Sequence, residues 1–338
     1  MVKSIQIILA AMALALYLAV TATAADMEIT PFRTINLSPF TQIFGLPAET
    51  GTSITPKGQV DISINQNIAS NYTLSANNRE RILLDAESYR WTMAARYGIG
   101  ERFELGIEIP YIIYGGGFLD SFIIDWHNFF QLPQGGRDKD VKNRLLVNYS
   151  KDGVSKLKFD HAGSGIGDIN LTGGMKLYDS LTDSSHDSLA LRTTLKIPSG
   201  DSSALRSSGS TDFSILLSGS INNFTEWGTV GLLGSIGGMT MSNGNVLADQ
   251  QQNLVGLANI GIGWAPKEWI SFKVQININT PFYRGSSLRE LSSTSVMLVS
   301  GGAIKLPGNY LLDIGVSEDV AVATAPDVAF HLGISKRF

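Results

Sequence analysis

The sequence predicts an all-β fold, a transmembrane antiparallel up-and-down β-barrel of about twelve strands. Segments of strand length with alternating apolar and polar residues recur along most of the chain, and the connections between them alternate in length. Charged residues make up only 17% and hydrophobic residues 43% of the chain, a composition too apolar for a disordered protein. A mild negative balance, 26 Lys and Arg against 30 Asp and Glu, gives no basic surface for nucleic acid.

The N-terminus has the features of a secretory signal peptide. Lys3 precedes an apolar run over 7–20, and Ala22-Thr23-Ala24 fits a cleavage site, so we expect a cleaved signal peptide over 1–24. The run is shorter than a membrane-spanning helix requires. The chain has no cysteine for a disulfide or a lipid anchor. If the protein is held in a membrane, strands must hold it, because only helices and closed barrels satisfy the backbone there.

Alternation with period two defines the expected barrel over 58–338. The clearest hairpin joins 88–97, where Tyr89, Trp91 and Met93 alternate with polar residues, to 103–109. The other alternating runs lie at 59–64, 168–177, 189–197, 211–222, 227–240, 251–264, 269–279, 294–305, 310–319 and 327–338. These runs are the twelve predicted strands.

The lengths of the connections predict the orientation of the barrel. Short ones are expected at 98–101, 179–187, 222–226, 265–268 and 306–309, and longer ones at 71–82, 115–164, 198–210, 241–250, 280–293 and 320–326. Outer-membrane barrels have short periplasmic turns and long external loops, so both ends of the barrel should lie on the short-turn, periplasmic side. Aromatic residues beside the short turns predict a membrane girdle made of Tyr97, Phe103, Trp227, Trp264, Trp269, Tyr310 and Phe338.

The last strand resembles the terminal strand of bacterial outer-membrane barrels. Phe330, Leu332 and Ile334 share one face with the final aromatic residue Phe338, whereas Lys336 departs from the usual apolar residue at its position. The resemblance implies recognition by the barrel-assembly machinery. We also expect outer-membrane lipids and lipopolysaccharide around the barrel.

Longer motifs resemble a family. The segments 97–111 (YGIGERFELGIEIPY), 165–169 (GIGDI) and 196–201 (KIPSGD) are similar to outer-membrane transporter barrels of the phenol-degradation type. The motifs GFLD at 117–120, GGR at 135–137, PF at 39–40 and FGLP at 44–47, with His127, Phe130 and the pair 132–133, resemble a family of proteobacterial outer-membrane β-barrels of unknown function. The resemblance implies the fold and a location in the outer membrane of a Gram-negative bacterium, and it carries over no activity.

The longest loop, 115–164, contains a predicted amphipathic helix. Its apolar positions fall on one helical face, with Leu119 beside the candidate residues Phe118, Phe122, Ile123, Trp126, Phe129 and Phe130. Such a helix at the external mouth could fold into the pore, lie on the outer leaflet against an apolar solute, or cap the barrel for stability. If the helix gates the pore, deleting 117–135 should open it.

Inward-facing charges form the second candidate site. They are Arg90, Arg96, Glu104, Glu108, Asp168, Lys176, Arg192, Lys196, Lys273, Lys305, Asp313 and His331. These side chains could pair and fill the lumen, or they could select solutes. The proline-containing segment 25–57 precedes the first strand as either a periplasmic segment or a plug.

We expect a passive channel or transporter for small solutes, apolar ones included, with the long loop as its gate. The alternative is a structural or adhesive barrel with a closed lumen. An outer-membrane lipid hydrolase is less favoured, because the His followed by Ser-Asn-Gly of that barrel family is missing. None of the four histidines has a metal-ligand spacing, so the sequence predicts no catalytic residue, metal or cofactor.

Overall fold

A computed structural model describes residues 27–131, 134–320 and 324–338. The predicted signal peptide, 1–24, lies outside the described residues. The strands are β1 Val60–Ala76, β2 Glu80–Gly98, β3 Phe103–Gly115, β4 Leu146–Lys151, β5 Val154–Phe159, β6 Gly163–Ile166, β7 Ile169–Leu181, β8 Ser185–Ile197, β9 Asp212–Thr225, β10 Gly228–Met241, β11 Leu254–Lys267, β12 Ile270–Asn279, β13 Ser295–Leu306, β14 Tyr310–Asp319 and β15 Val328–Arg337. The helices are α1 Leu119–Phe130 and α2 Arg289–Ser292, and a 3-10 turn spans Arg137–Lys139.

Twelve of these strands form a closed antiparallel ring, which confirms the predicted barrel. Each strand pairs with its neighbours in the chain, except that β3 pairs with β7 across the long loop. The ring closes where β1 pairs with β15, from Asp61 opposite Arg337 to Ser70 opposite Val328. Closure leaves no unpaired edge among the barrel strands, as a membrane requires.

The two faces of the ring differ in chemistry as the alternation predicts. On β12, Phe272 and Val274 point outward and are exposed, whereas Ser271, Lys273 and Gln275 point inward and are buried. The outer face is therefore an apolar band suited to lipid, and the inner face is polar.

The predicted loop at 71–82 is wrong, because most of it belongs to strands. β1 continues to Ala76 and β2 begins at Glu80, so only a tight turn remains between them. In this turn the Asn77 side-chain oxygen accepts hydrogen bonds from the backbone amides of Arg79 and Glu80, each at 2.8 Å. The hairpin extends beyond the ring. There β4, a strand inside the long loop, pairs with the first residues of β2.

The long loop 115–164 contains three strands as well as the predicted short helix. β4 pairs with β5, and β6 pairs with the end of β3. These strands are four to six residues long, too short for an alternation pattern to separate them from a loop.

The seven girdle aromatics are all exposed on the outside of the barrel beside the short turns. Lys336 replaces the apolar residue that is usual at its position in the terminal strand. Its ammonium lies 4.5 Å from the ring centroid of Tyr310 and 4.9 Å from that of Phe338. These distances are those of cation–π contacts, so the charge sits between rings at the polar edge of the band. The Trp264 ring nitrogen donates to the Trp227 carbonyl at 2.9 Å.

In the described part of the chain, no helix combines the length and apolarity needed to cross a membrane.

The closing seam can be tested by cross-linking, because the natural chain has no cysteine. Ser63 and Ser335 are direct partners across β1 and β15. Directly paired antiparallel residues have the Cα separation that a disulfide requires. We expect the double variant Ser63→Cys/Ser335→Cys to oxidise, so that the boiled, unreduced chain migrates differently from the reduced chain on a denaturing gel.

The matched control is Ser63→Cys/Ala329→Cys, whose positions are six residues out of register. The control should show no shift. Equal cross-linking in both variants would contradict the register of the seam.

Candidate functional site

The lumen of the barrel is occupied by the described residues that precede β1, 27–57. The segment enters at the short-turn end, rises to the long-loop end, turns, and returns to the short-turn end, where Gly58 donates to the Gly98 carbonyl at 2.8 Å. The structure thus places these residues inside the ring, as a loop with both limbs in the lumen.

The rising limb is held by inward side chains of three different strands. The backbone amide of Ile29 donates to the Asn222 side chain at 2.9 Å, near the short-turn end of β9. Higher in the lumen, the amide of Phe32 donates to Gln275 at 2.8 Å. The Asn36 side chain donates to the Ser295 hydroxyl at 3.0 Å, at the long-loop end of β13. Wall side chains therefore replace the backbone partners that a strand would have.

The tip of the segment packs in an aromatic cluster below the external loops. A turn begins at Ser38, whose carbonyl accepts from the amides of Thr41 and Gln42. The ring of Phe44 stacks on Phe282 with centroids 4.7 Å apart, and the Tyr283 hydroxyl donates to the Phe40 carbonyl at 3.0 Å. These apolar contacts belong to the largest buried cluster in the described chain.

The returning limb is bound by carboxylates and hydroxyls of the wall. The Gly45 amide donates to Asp212 at 2.7 Å, and the Thr52 hydroxyl lies 2.6 Å from that of Ser188 and 2.9 Å from that of Ser220. Near the short-turn end, the Thr55 amide donates to Glu104 at 2.6 Å.

Glycines in the wall make room for this segment. A Cβ atom at Gly231 or Gly263 would come within 2.5 Å of the Ile29 side chain. Within the segment, a Cβ at Gly45 would lie 2.8 Å from that of Lys196. Larger residues at these points would clash, so wall and segment fit each other as packed partners.

The predicted inward charges all lie on the lumen side of the wall, and most of them form ion pairs. Arg96 pairs with Asp61 at 3.1 Å and lies 3.6 Å from Glu104, which also pairs with Arg192. Lys273 pairs with Asp313. The pairing offsets the cost of removing each charge from water.

Lys196 is the most deeply buried of these charges, with 1% of its side chain exposed. Its ammonium lies 2.6 Å from Asp168 and 3.1 Å from Asp212. It also donates to the Ser208 hydroxyl at 2.5 Å and to the Ile43 carbonyl at 3.2 Å. One cation thus joins two strands, an external loop and the tip of the lumen segment.

Several of the other predicted charges hold the lumen segment itself. Arg192 donates to the carbonyls of Gly51 and Ser53 at 2.8 and 2.6 Å, and Arg90 donates to the Gln42 carbonyl at 3.3 Å. In the reverse direction, Arg33 of the segment pairs with Glu108 at 3.1 Å.

The remaining predicted charges contact aromatic rings or lie at the mouth of the barrel. The Lys273 ammonium lies 4.2 Å from the ring centroid of Phe32, and the His331 ring meets Phe32 edge to face. Lys176 lies near the short-turn mouth and pairs with Asp179 at 2.6 Å, while Lys305 is half-buried at the same end.

Several charged residues of the lumen were missed in the sequence, among them Arg33, Glu49, Asp61 and Asp212. Arg33 and Glu49 belong to the segment 25–57, whose position the alternation does not reveal. Asp61 and Asp212 could have been predicted as lumen charges, because both occupy inward positions of predicted strands. The Ser235 hydroxyl donates to Glu49 at 2.6 Å, which ties the returning limb to β10.

The loop helix α1 lies on the outer wall and does not fold into the pore, which excludes one of the three placements predicted for it. On β2, Glu87 points outward with Tyr89 and Trp91. Its carboxylate accepts from the backbone amides of Phe118 and Leu119, at the N-terminus of α1. A carboxylate is favourable there because the first amides of a helix have no partner within it.

The residues that follow α1 are fastened to the same outer wall. Arg137 is 3% exposed, pairs with Asp120 and Asp327, and donates to the Ser70 hydroxyl at 2.8 Å. Burial raises the pKa of Asp327, although the Arg137 guanidinium opposes the shift. Arg144 pairs with Asp85 at 2.8 Å.

The predicted apolar face of α1 is divided between two environments. Ile123 is buried, whereas Phe118, Phe122, Trp126 and Phe129 are exposed. The Phe130 side chain lies outside the described residues.

The spaces between the segment and the wall include three small cavities. Three cavities that line the segment have volumes of about 30, 20 and 20 Å3. A cavity of this size holds a water molecule and no larger solute. Within the described ranges, no group of three or more His, Asp or Glu is placed to hold a metal ion.

A closed ring with a lipid-facing apolar band and a polar interior is the architecture of an outer-membrane β-barrel. The chain belongs to the family described as "Protein of unknown function (DUF3187)", whose model matches residues 5–338. This result confirms the family resemblance read from the motifs.

Among solved structures, the chain is similar to the COG4313 outer membrane channel from Pseudomonas putida F1. The identity is 13%, the TM-score is 0.54, and the match covers 85% of this chain and 97% of that chain, so it shows a shared fold. The toluene transporter TbuX from Ralstonia pickettii is more distant, at 10% identity and a TM-score of 0.33 over 93% of this chain and 97% of that chain. No curated protein matches the chain.

The lumen network can be tested by substituting Lys196, the cation that two carboxylates share. Replacing Lys196→Met leaves Asp168 and Asp212 buried and facing each other without their common partner. Breaking a buried ion pair in this way costs about 3–5 kcal/mol. We expect the variant to unfold from lipid vesicles at a clearly lower urea concentration than the natural chain.

Lys305→Met is the matched control, since it removes a half-buried inward lysine at the mouth. Its unfolding should stay close to that of the natural chain. Equal destabilisation by both substitutions would count against a special role for Lys196.

Proposed function

We propose that this chain is a passive outer-membrane channel for small polar solutes, which conducts when residues 27–57 leave the lumen. The observation that carries the proposal is the polar inner wall. Its buried inward residues, apart from the charges, include Ser63, Asn65, Asn67, Asn170, Thr194, Ser214, Ser218, Asn222, Ser235, Asn259 and Gln275. A wall of this kind stays hydrated once the segment is displaced, because each polar group can exchange its present partner for water.

The way in which the segment is bound also favours displacement. Its returning limb is held mainly by hydrogen bonds, which have small net free energies when water can replace them. Both limbs leave the lumen at the short-turn end, so the tip can withdraw without threading a chain end through the ring. Apolar contacts are densest at the tip, and three smaller clusters bury Met27, Ile29, Phe32, Ile35 and Leu37 of the rising limb, so these contacts set the resistance to withdrawal.

Polar solutes fit this lumen better than the apolar solutes anticipated from the aromatic loop helix. The aromatic loop helix that suggested apolar solutes lies on the outer wall and does not line the lumen. We further propose that the barrel resides in the outer membrane of a Gram-negative bacterium, after removal of residues 1–24 and assembly through the terminal strand.

The second candidate is a structural or adhesive barrel that never conducts. The small volume of the lumen cavities favours it, because the closed form passes no solute. A lipid hydrolase remains the least favoured prediction.

A disulfide lock distinguishes the two candidates. The hydroxyls of Thr52 and Ser220 are 2.9 Å apart, so Thr52→Cys/Ser220→Cys can join the returning limb to β9. In planar lipid bilayers we expect stepwise conductance from the natural chain and from the reduced variant. Oxidation should abolish the conductance, and reduction should restore it.

The single variant Thr52→Cys is the control for the substitution itself and should conduct in both redox states. A natural chain that is silent although its gel mobility shifts on heating would favour the closed barrel. Conductance that persists in the fully oxidised lock would contradict the role of the segment.

A further inference from the structure

We propose that α1 is an interfacial helix whose aromatic row contacts the acyl chains of the outer leaflet. The aromatic row consists of Phe118, Phe122, Trp126 and Phe129. This interaction is independent of conduction, because α1 and the lumen lie on opposite sides of the wall.

The helix presents three distinct faces. Leu119 and Ile123 are buried against the protein. The polar row, Ser121, Asp125 and Asn128, is exposed. The aromatic row lies between these two faces around the helix axis, with Phe118, Phe122, Trp126 and Phe129 exposed by 64%, 48%, 45% and 79%. A helix with one protein face, one apolar face and one polar face fits a boundary between lipid and water.

The height of α1 on the wall matches that boundary. Along β2 the outward residues are apolar or aromatic from Tyr97 to Tyr89 and become acidic at Glu87 and Asp85. The N-terminus of α1 is bound to Glu87, at the point where the outward face changes character. The aromatic row therefore lies at the upper edge of the band, where ring side chains are favoured.

The aromatic row is continuous with the lipid-facing surface of the barrel. The Phe122 ring meets the Phe330 ring edge to face with centroids 6.1 Å apart. Phe330 shares the outward row of β15 with Leu332 and Ile334, which are 45% and 39% exposed. Lipid that covers those residues of β15 extends onto α1 without crossing a polar strip.

Polar bonds keep the helix at this position. Arg137 joins Asp120 of α1 to Ser70, an outward residue of β1, and to Asp327 near the start of β15. The Tyr72 hydroxyl donates to Asp140 at 3.1 Å. These bonds lie above the apolar band and hold α1 against the wall with the exposed side of its aromatic row at the level of the lipid.

Paired spin labels test the proposal in the full-length protein. The natural chain has no cysteine, so Phe129→Cys and Asp125→Cys each give one labelling site, one in the aromatic row and one in the polar row. The variants are reconstituted in phosphatidylcholine vesicles, and label relaxation is measured with molecular oxygen and with a water-soluble nickel chelate.

We expect the label at 129 to be more accessible to oxygen and the label at 125 to be more accessible to nickel. Leu332→Cys, on the lipid-facing row of β15, should behave like 129. The heat-dependent gel mobility of each variant establishes that the barrel is folded.

Equal nickel accessibility at 125 and 129 would overturn the proposal, since both rows would then lie in water. Line broadening at 129 that grows with the protein-to-lipid ratio would also overturn it, because a second copy of the chain would then cover the row. Exclusion of both oxygen and nickel at 129 would likewise indicate burial against protein.

Discussion

A sheet inside a membrane cannot leave a strand edge unpaired, and this constraint governs the whole molecule. Water is absent from the hydrocarbon region, so every backbone amide and carbonyl needs a partner in the protein. The chain meets the requirement by pairing its first barrel strand with its last, from Asp61 opposite Arg337 to Ser70 opposite Val328. The apolar band, the polar interior and the shared position of both barrel termini all follow from that closure.

Closure creates an interior that the wall side chains do not fill alone. Residues 27–57 occupy that space and bring polar backbone with them, which must be satisfied by the wall. Asn222, Gln275 and Asp212 accept hydrogen bonds from backbone amides of the segment. Charges that face the interior from several strands are paired with one another or with Arg33. The ion-pair network therefore lines the lumen and also binds the segment to the wall.

Period-two alternation was enough to predict the fold, because a lipid-facing row and a lumen-facing row impose opposite chemistry on successive residues. It also placed charges such as Arg192 and Lys196 on the lumen side. It left residues 25–57 open between a periplasmic segment and a plug, since a segment bound by scattered side chains has no periodic pattern. Helical periodicity identified the loop helix but treated Ile123 and Phe129 as one face, because the sequence does not distinguish lipid from protein as an apolar environment.

The route of the lumen segment has a consequence for the order of assembly. Its partners come from β3, β8, β9, β10, β12 and β13, and Asn36 donates to the carbonyl of Thr324, 288 positions along the chain. Contacts so distant in sequence form late, after intervening strands have found their neighbours. The residues that precede β1 therefore have a complete chamber to occupy only once β15 has paired with β1. Until then these residues lack most of their partners, and their placement in the lumen completes the fold.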